Sequence, residues 1–280
     1  MPTATIRLGG ASDLFRVGQG TWRMGENRTP RGAEVRAVRF GLDLGMTLID
    51  TAEMYGDGAA EEVVGEALLG RREEAFLVSK VLPSNATRRG VAAACRRSLR
   101  RLRTDRLDLY LLHWPGGVPL AETVEAFETL QDEGLIAAWG VSNFDVDDLE
   151  ELAEVAPPGR CVTDQVLYNL DYRGIEHDLL PAAAGRKMPV MAYSPVGQGG
   201  HLLHHPVLSE VAGRHGRTPA QIALAWTLRD PNVVSIPKAS DETHVRDNVA
   251  AMDIELLPED LEALDEAFPP PRSKVPLAML

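Results

Sequence analysis

Short apolar runs alternate with longer amphipathic stretches along this chain, and the alternation repeats eight times. Runs such as Leu107–Leu112 are almost continuously apolar, which is typical of strands buried on both faces of a parallel sheet. The pattern therefore predicts a repeated strand–helix unit. The predicted strands are Val17–Gly20, Thr47–Asp50, Ala75–Val81, Leu107–Leu112, Ala137–Ser142, Val162–Asn169, Pro189–Tyr193 and Val233–Pro237.

The stretches between these strands carry apolar residues at helical spacing. Thr218 and Gln221 predict a capping box, and Pro219 suits the first position of a helix that ends near Leu228. Eight strand–helix units favour a closed barrel over an open sheet, and 280 residues suit a (β/α)8 barrel, which needs roughly 250. The other predicted helices are Glu34–Leu44, Glu61–Leu69, Thr87–Leu102, Ala121–Glu133 and Val146–Val155.

Two additions lie outside the repeat. Residues 1–16 contain Gly9-Gly10, a pair that favours a tight turn, so we expect a small hairpin before the first barrel strand. The segment from Phe268 to Leu280 contains four prolines and is predicted to run as a loop over one end of the barrel. With no internal boundary visible, residues 1–280 are predicted to form one α/β domain, a (β/α)8 TIM barrel with an N-terminal hairpin and a C-terminal tail.

The net charge of −12 argues against nucleic-acid and membrane-surface partners, because phosphate backbones and anionic lipids repel an acidic protein. Cys95 and Cys161 lack CxxC spacing and cannot form a disulfide framework. Arg7, Asp13 and Arg16 lie where a signal peptide would be apolar, and no run approaches the roughly 18 apolar residues of a membrane span. We expect a cytoplasmic protein that is a monomer or a weak oligomer.

An early glycine motif for dinucleotides is incomplete. Gly18-Gln19-Gly20 is followed by Thr21-Trp22-Arg23, so the last glycine of Gly-x-Gly-x-x-Gly is missing. A dinucleotide is therefore not expected on a Rossmann turn.

Ionisable residues follow the predicted strands at one end. Asp50 ends the second strand and Tyr55 follows it, while Lys80 and His113 come at the ends of the third and fourth strands. Because the reacting groups of a (β/α)8 barrel lie at the carboxyl ends of its strands, we expect these four side chains to converge. Burying four ionisable groups without a function is costly, so they are candidate catalytic residues.

These four residue types suit carbonyl reduction, which needs a hydride donor and a proton donor for the developing alkoxide. Tyr55 is the candidate proton donor, and the Lys80 ammonium is expected to lower its pKa. Asp50 would keep the ammonium charged and oriented. A neutral His113 imidazole would hydrogen-bond the carbonyl oxygen.

With these residues in order, the sequence resembles the aldo-keto reductase superfamily over nearly the whole chain. Gly45–Gly56 looks like the family signature that carries its acid and tyrosine. Lys80 and His113-Trp114-Pro115 match the lysine and histidine positions. Gly140–Phe144 resembles the nicotinamide-contact segment, and Ile236-Pro237-Lys238 resembles the segment that holds the adenosine end.

The resemblance implies a metal-free, NAD(P)(H)-dependent oxidoreductase that reduces small aldehydes or ketones. The carboxamide of the nicotinamide would be bound by Ser142, Asn143 and Gln165, and Tyr193 would stack on its ring. The implied substrate contacts are Trp22, Tyr55, His113 and Trp114. The implied cofactor-binding residues are Gly20, Thr21, Trp22, Asp50, Ser142, Asn143, Gln165, Tyr193, Ser194, Pro195, Val196, Gly197, Gln198, Gly199, Ile236, Lys238, Ala239, Ser240, His244 and Asn248.

The adenosine segment departs from the NADP-binding form of the family. That form usually has serine or a similar residue after the lysine and arginine five residues further on, where this chain has Ala239 and His244. Ser240 and Arg246 lie nearby. Because Lys238 remains, NADP(H) is the expected cofactor, with NAD(H) as the second candidate.

Other interpretations of the same sequence stay open. His201, His204 and His205 have a spacing that zinc ligands can adopt, although no glutamate or cysteine stands at ligand spacing; a loop over the diphosphate is preferred. A second hypothesis is a cofactor-binding regulatory subunit that resembles the potassium-channel beta subunits, which have the same fold. A non-redox barrel enzyme such as an isomerase is the third hypothesis. Within a reductase, the sequence does not separate small aldehydes, dicarbonyls and ketones.

Overall fold

A computed structural model describes residues 5–26 and 29–280. Its first element is an antiparallel hairpin of β1 (Thr5–Leu8) and β2 (Ala11–Phe15). Gly9 and Gly10 join the strands with φ of 56° and 89°, and such positive φ angles suit the twist of a two-residue hairpin turn. The predicted hairpin is therefore present, and residues 1–4 of its predicted span lie outside the described residues.

Eight parallel strands form the barrel, and each pairs with the next along the chain. Closure comes from bridges between Val17 and Ser235 and between Gly20 and Lys238, with the Gly18 amide donating to Ser235 at 2.8 Å. The predicted (β/α)8 fold is confirmed. The strands are β3 (Gln19–Gly20), β4 (Leu48–Asp50), β5 (Phe76–Val81), β6 (Leu107–Leu112), β7 (Ile136–Ser142), β8 (Cys161–Leu167), β9 (Val190–Tyr193) and β10 (Val233–Ser235).

Helices surround the barrel, and the six predicted ones are present with small changes at their ends. The predicted capping box is present, since Thr218 Oγ1 accepts from the Gln221 amide at 3.2 Å. Four further helices, which begin at residues 179, 206, 242 and 258, have no counterpart in the prediction. The helices are α1 (Arg31–Asp43), α2 (Ala59–Ala67), α3 (Arg88–Leu102), α4 (Leu120–Asp132), α5 (Val146–Val155), α6 (Leu179–Gly185), α7 (Pro206–His215), α8 (Pro219–Thr227), α9 (Glu242–Ala250) and α10 (Pro258–Ala267).

Side-chain alternation along the strands separates the barrel interior from the layer under the helices. On β5, Phe76 and Val78 belong to the interior cluster, whereas Leu77 belongs to the cluster that packs on the helices. The same alternation turns Lys80 inward at the carboxyl end of β5. Leu8 of the hairpin joins the interior cluster with Phe76, so apolar packing fills the amino-terminal end and leaves the carboxyl end for polar groups.

The tail after α10 contains no helix or strand, as predicted. Arg173 holds its start by donating to the Phe268 carbonyl and to Asp265. Lys274 lies against three aspartates, with its Nζ 3.3 Å from Asp145. Across residues 5–26 and 29–280, none of the helices has the length and apolar character needed to cross a bilayer.

Candidate active site and cofactor cleft

A cavity of about 1070 Å³ opens at the carboxyl ends of the barrel strands. Lys80, Gly197, Ala239 and Ser240 are the predicted site residues that do not line it. The cavity brings together the other predicted residues: Gly20, Thr21, Trp22, Asp50, Tyr55, His113, Trp114, Ser142, Asn143, Gln165, Tyr193, Ser194, Pro195, Val196, Gln198, Gly199, Ile236, Lys238, His244 and Asn248.

Lys80 lies directly behind the cavity wall and links two residues that face it. Its Nζ is 2.8 Å from Asp50 Oδ2 and 3.0 Å from the Tyr55 hydroxyl, and it also donates to the Thr51 carbonyl at 2.9 Å. Lys80 is fully buried and Asp50 is 2% exposed. Because all three ammonium protons have acceptors, the lysine is fixed in one orientation.

His113 faces the same point from the end of β6. Its ring meets the Tyr55 ring edge-on with 5.8 Å between centroids, and the centroid of the Trp114 ring lies 4.9 Å from that of His113. The His113 carbonyl accepts from Asn143 Nδ2 at 3.0 Å. The phenol and imidazole therefore border one small volume that is walled by an indole.

Burial controls the protonation of these groups. It raises the pKa of Tyr55 well above its usual value, and the Asp50 carboxylate adds to the rise. The net direction follows from burial and Asp50, so the lowering of this pKa by the Lys80 ammonium, relative to the same phenol without it, stays a prediction. Burial also lowers the pKa of Lys80, against the attraction of Asp50. For His113, burial and then Lys80 hold the pKa well below 6.5, so the imidazole is neutral.

The part of the cavity wall beside Asp50 and Tyr55 carries side-chain amide and hydroxyl groups. Gln165 Nε2 donates to Asp50 Oδ1 at 2.8 Å, and Ser142 Oγ donates to the Gln165 carbonyl at 2.8 Å. Asn143 has a left-handed backbone with φ of 59°, and its Oδ1 accepts from the Tyr193 hydroxyl at 3.0 Å. These contacts fix the amides beside Tyr193.

The segment after β9 exposes backbone along the cavity. Ser194, Gly197, Gln198 and Gly199 all have positive φ, between 48° and 72°. A Cβ on Gly199 would meet no atom within 4 Å, so the chain is open there. Turns of this kind point amide groups outward and favour anions such as a diphosphate.

The segment predicted to hold the adenosine lines the cavity only in part. Lys238 faces the cavity and hydrogen-bonds Ser240, while Ala239 packs on a neighbouring apolar cluster. His244 lines the cavity with Nδ1 2.7 Å from Asp241 Oδ2. The guanidinium of Arg246 stacks on Phe40 at 5.0 Å and is not among the residues that line the cavity.

The three histidines of the metal hypothesis have separate partners. His201 Nε2 lies 3.2 Å from Asp171, and His204 Nδ1 lies 3.2 Å from the Gly200 carbonyl. His205 caps α7 by accepting from the Val207 amide at 3.3 Å. Within residues 5–26 and 29–280, no group of three or more His, Cys, Asp or Glu side chains is arranged to hold a metal.

Sequence reasoning missed several residues of the cavity. Arg23 lines it with its guanidinium 4.1 Å from the Trp22 ring centre, and Met54, Met279 and Leu280 add apolar groups. Arg23 follows Gly20-Thr21-Trp22 directly, so its place after a barrel strand was a usable signal. The tail residues carried no such signal, because no motif places them at the cavity.

Comparison with known proteins identifies the class. The model of the aldo/keto reductase family matches residues 16–268, and the chain belongs to that family. It is 50% identical over 284 residues to the methylglyoxal reductase YeaE of Escherichia coli (strain K12), with 100% of both chains covered. It is 36% identical to the glyoxal reductase of Bacillus subtilis (strain 168), covering 95% of this chain and 94% of the relative.

A solved structure has the same fold as this chain over the whole length of both. The aldo-keto reductase from Klebsiella pneumoniae in complex with NADPH superposes with a TM-score of 0.98 at 50% identity, covering 100% of each chain. The predicted family, barrel and reaction class are therefore confirmed: the chain is an oxidoreductase that reduces carbonyl compounds with NADP(H). The alternatives of a regulatory subunit and a non-redox enzyme are not favoured.

Proposed function

We propose that the chain reduces small aldehydes and 2-oxoaldehydes of the methylglyoxal kind, with Tyr55 as the proton donor. The observation that carries the proposal is Lys80 Nζ within 3.0 Å of the Tyr55 hydroxyl and 2.8 Å of Asp50. The relatives with 50% and 36% identity are called methylglyoxal reductase and glyoxal reductase, which supports this substrate class.

Each catalytic residue has a role that follows from its contacts. Tyr55 stays a neutral phenol because burial raises its pKa, so its proton is available for the carbonyl oxygen. When that proton leaves, the Lys80 ammonium stabilises the phenolate through the hydrogen bond already present. Asp50 holds Lys80 in place, and the neutral His113 ring can hydrogen-bond the carbonyl oxygen beside Tyr55.

The cleft suits an extended nicotinamide dinucleotide, which supplies the hydride for the carbonyl carbon when bound. We assign the nicotinamide to Ser142, Asn143, Gln165 and Tyr193, whose amide and hydroxyl groups are already oriented. The open turn of residues 194–199 and the Arg23 guanidinium would hold the diphosphate. The adenosine end fits the remaining predicted set around Lys238, His244 and Asn248.

The substrate end of the cavity suits small molecules with some apolar surface. Trp22, Trp114 and Met54 border it next to Tyr55, and the tail adds Met279. Aromatic and thioether walls exclude water from the reacting carbonyl and bind short alkyl groups without a specific hydrogen bond.

We further propose that residues 1–280 act as one domain, in the cytoplasm, as a monomer or weak oligomer. The two thiols support a reducing compartment, since Cys95 and Cys161 are free. The continuous barrel from β3 to β10 supports a single domain.

A panel of carbonyl compounds, assayed with NADPH and NADH by the absorbance of the reduced nicotinamide, tests the proposal. We expect turnover of methylglyoxal and small aldehydes, with a higher kcat/KM for NADPH. Reduction of none of the 2-oxoaldehydes, with activity only on bulky ketones, contradicts the proposed substrate class. The NADPH-loaded protein with no substrate serves as the control for background oxidation.

A further inference from the structure

A second concave site lies on the outer layer of the barrel and shares no residue with the cofactor cleft. It has a volume of about 400 Å³ between α2 and α3. Four arginines and one glutamate line it: Arg97, Arg100, Arg101, Arg103 and Glu62. We propose that this arginine pocket binds a compact polyanion, specifically an oligophosphate chain.

Two of the guanidinium groups are held in fixed positions by buried carboxylates. Arg101 Nε donates to Glu61 Oε2 at 2.6 Å, and the fully buried Glu61 also accepts from Ser79 Oγ at 2.6 Å. Arg97 Nη2 lies 3.3 Å from Glu53 Oε2. Because a fully buried carboxylate holds Arg101, that guanidinium does not have to be ordered when a ligand binds.

The remaining positive charge of the pocket is not neutralised by its surroundings. Arg100 and Arg103 are exposed and form no side-chain hydrogen bond or ion pair with any residue in the described ranges 5–26 and 29–280. Arg101 pairs with Glu61, and its buried Nη2 has no hydrogen-bond partner in the same ranges. The charge that is not neutralised is therefore that of Arg100 and Arg103. The one acidic lining residue, Glu62, already pairs with Arg31 at 3.3 Å.

Helix geometry accounts for part of this arrangement. Basic residues in the last turn of α3 stabilise its carbonyl end, which explains the sign of the charge. That role requires neither a concave surface nor several guanidinium groups converging on it from successive turns. The net charge of the chain is −12, so a cluster of arginines has the opposite sign to the protein as a whole.

The guanidinium groups that line the arginine pocket indicate which kind of anion it binds. Guanidinium groups form paired hydrogen bonds with phosphate oxygens, and several around one cavity suit several linked phosphates better than a single anion. A volume of about 400 Å³ is at the small end of ligand pockets, which suits a short phosphate chain. The chain can come from inorganic triphosphate or from a nucleoside triphosphate.

Calorimetric titration of the NADPH-saturated protein at low ionic strength tests the proposal, since the filled cleft cannot then take up the phosphates. The test variant is Arg100→Gln with Arg103→Gln. The control is Arg89→Gln with Arg96→Gln, which removes the same charge from exposed positions of the same helix outside the pocket. Both variants are expected to keep the wild-type melting temperature and kcat.

Inorganic triphosphate is expected to bind wild type saturably, at one site. The pocket variant should bind at least about tenfold more weakly, and the control variant within about twofold of wild type. Absence of saturable binding to wild type, or equal weakening in both variants, overturns the proposal. ATP is titrated in parallel: similar affinities for ATP and triphosphate support recognition of the phosphate chain, whereas binding of ATP alone overturns it.

Discussion

The two ends that we propose for the cofactor cleft, one for the nicotinamide and one for the adenosine, are built in opposite ways. At the nicotinamide end, Lys80 and Asp50 are 0% and 2% exposed and every ammonium proton has an acceptor. At the adenosine end, the His244 side chain is 71% exposed and pairs with an exposed aspartate. Charges act strongly where water is excluded and weakly where water screens them. Substitutions should therefore affect catalysis severely at the first end and cofactor choice mildly at the second.

Lys80→Met should produce the largest effect. The phenol loses the ammonium that stabilises its phenolate, so we expect kcat/KM near neutral pH to fall by at least about a hundredfold. Asp50→Asn should cost less activity, because the lysine remains. Steady-state reduction of a small aldehyde with NADPH measures both losses. Wild-type activity in Lys80→Met contradicts the proposed role of the buried pair.

Loss of one buried partner also affects folding, and a double variant separates the two effects. Lys80→Met leaves the Asp50 carboxylate buried without its cation, which costs about 3–5 kcal/mol of stability. Adding Asp50→Asn removes that charge, so the double variant should regain much of the melting temperature lost by Lys80→Met. Its activity should stay low. Recovery of activity together with stability would mean that the lysine only supports the fold.

His244→Arg should have a smaller effect, confined to the choice of cofactor. Arginine offers a planar fork and a permanent charge, so NADPH binding should strengthen by up to about tenfold. NADH lacks the 2′-phosphate and serves as the internal control, with an expected change below about twofold. Fluorescence titration of both cofactors measures the ratio of the Kd values. An unchanged ratio means that residue 244 does not face the phosphate.

Lys274→Ala should have a still smaller effect, on the substrate. Lys274 Nζ lies 3.3 Å from Asp145 and 3.4 Å from Asp178, and it anchors the tail whose Met279 reaches the cavity. Exposed pairs of this kind are weak, so we expect the substrate KM to rise about two- to threefold. The Kd of NADPH should not change. Lys187→Ala is the control, and an equal KM change in both variants rules out an effect through the tail.

Removal of metal should have no effect. The proposed chemistry uses Tyr55, Lys80, Asp50 and His113 and requires no ion. Activity should survive prolonged EDTA treatment, measured as kcat before and after dialysis. A loss that zinc reverses in the wild type, together with low activity of a His201→Ala variant before any EDTA treatment, would make the histidine segment a metal site.

The sequence predicted the two ends of the cleft unequally for a physical reason. At the nicotinamide end, strand periodicity alone turns Lys80 toward Asp50, and the barrel brings strand ends together. At the adenosine end, Arg246 lies near Lys238 in sequence, yet its guanidinium lies over the Phe40 ring and is not among the residues that line the cavity. Val245 is the apolar residue that α9 buries, so the helix has no apolar stripe from which its orientation could be predicted.

The helices of the fold were also predicted only where they have a clear apolar periodicity. Helices with a clear apolar stripe were predicted within a few residues, as at Val146–Val155. Helix α6 has a proline at position 181 within a short alanine-rich segment, so neither its period nor its composition indicated a helix. Nothing in the sequence indicated that burial raises the pKa of Tyr55, because the degree of enclosure of a side chain is set by distant packing and cannot be read from its neighbours in sequence.

Tyr55→Phe tests the central claim most directly. The substitution removes one hydroxyl that lies 3.0 Å from Lys80 Nζ, while the ring that borders His113 remains. We expect kcat/KM for methylglyoxal to fall by at least about a hundredfold, or about 2.7 kcal/mol, while the Kd of NADPH stays within about twofold. Retention of more than about a tenth of the wild-type kcat/KM would contradict the assignment of Tyr55 as the proton donor.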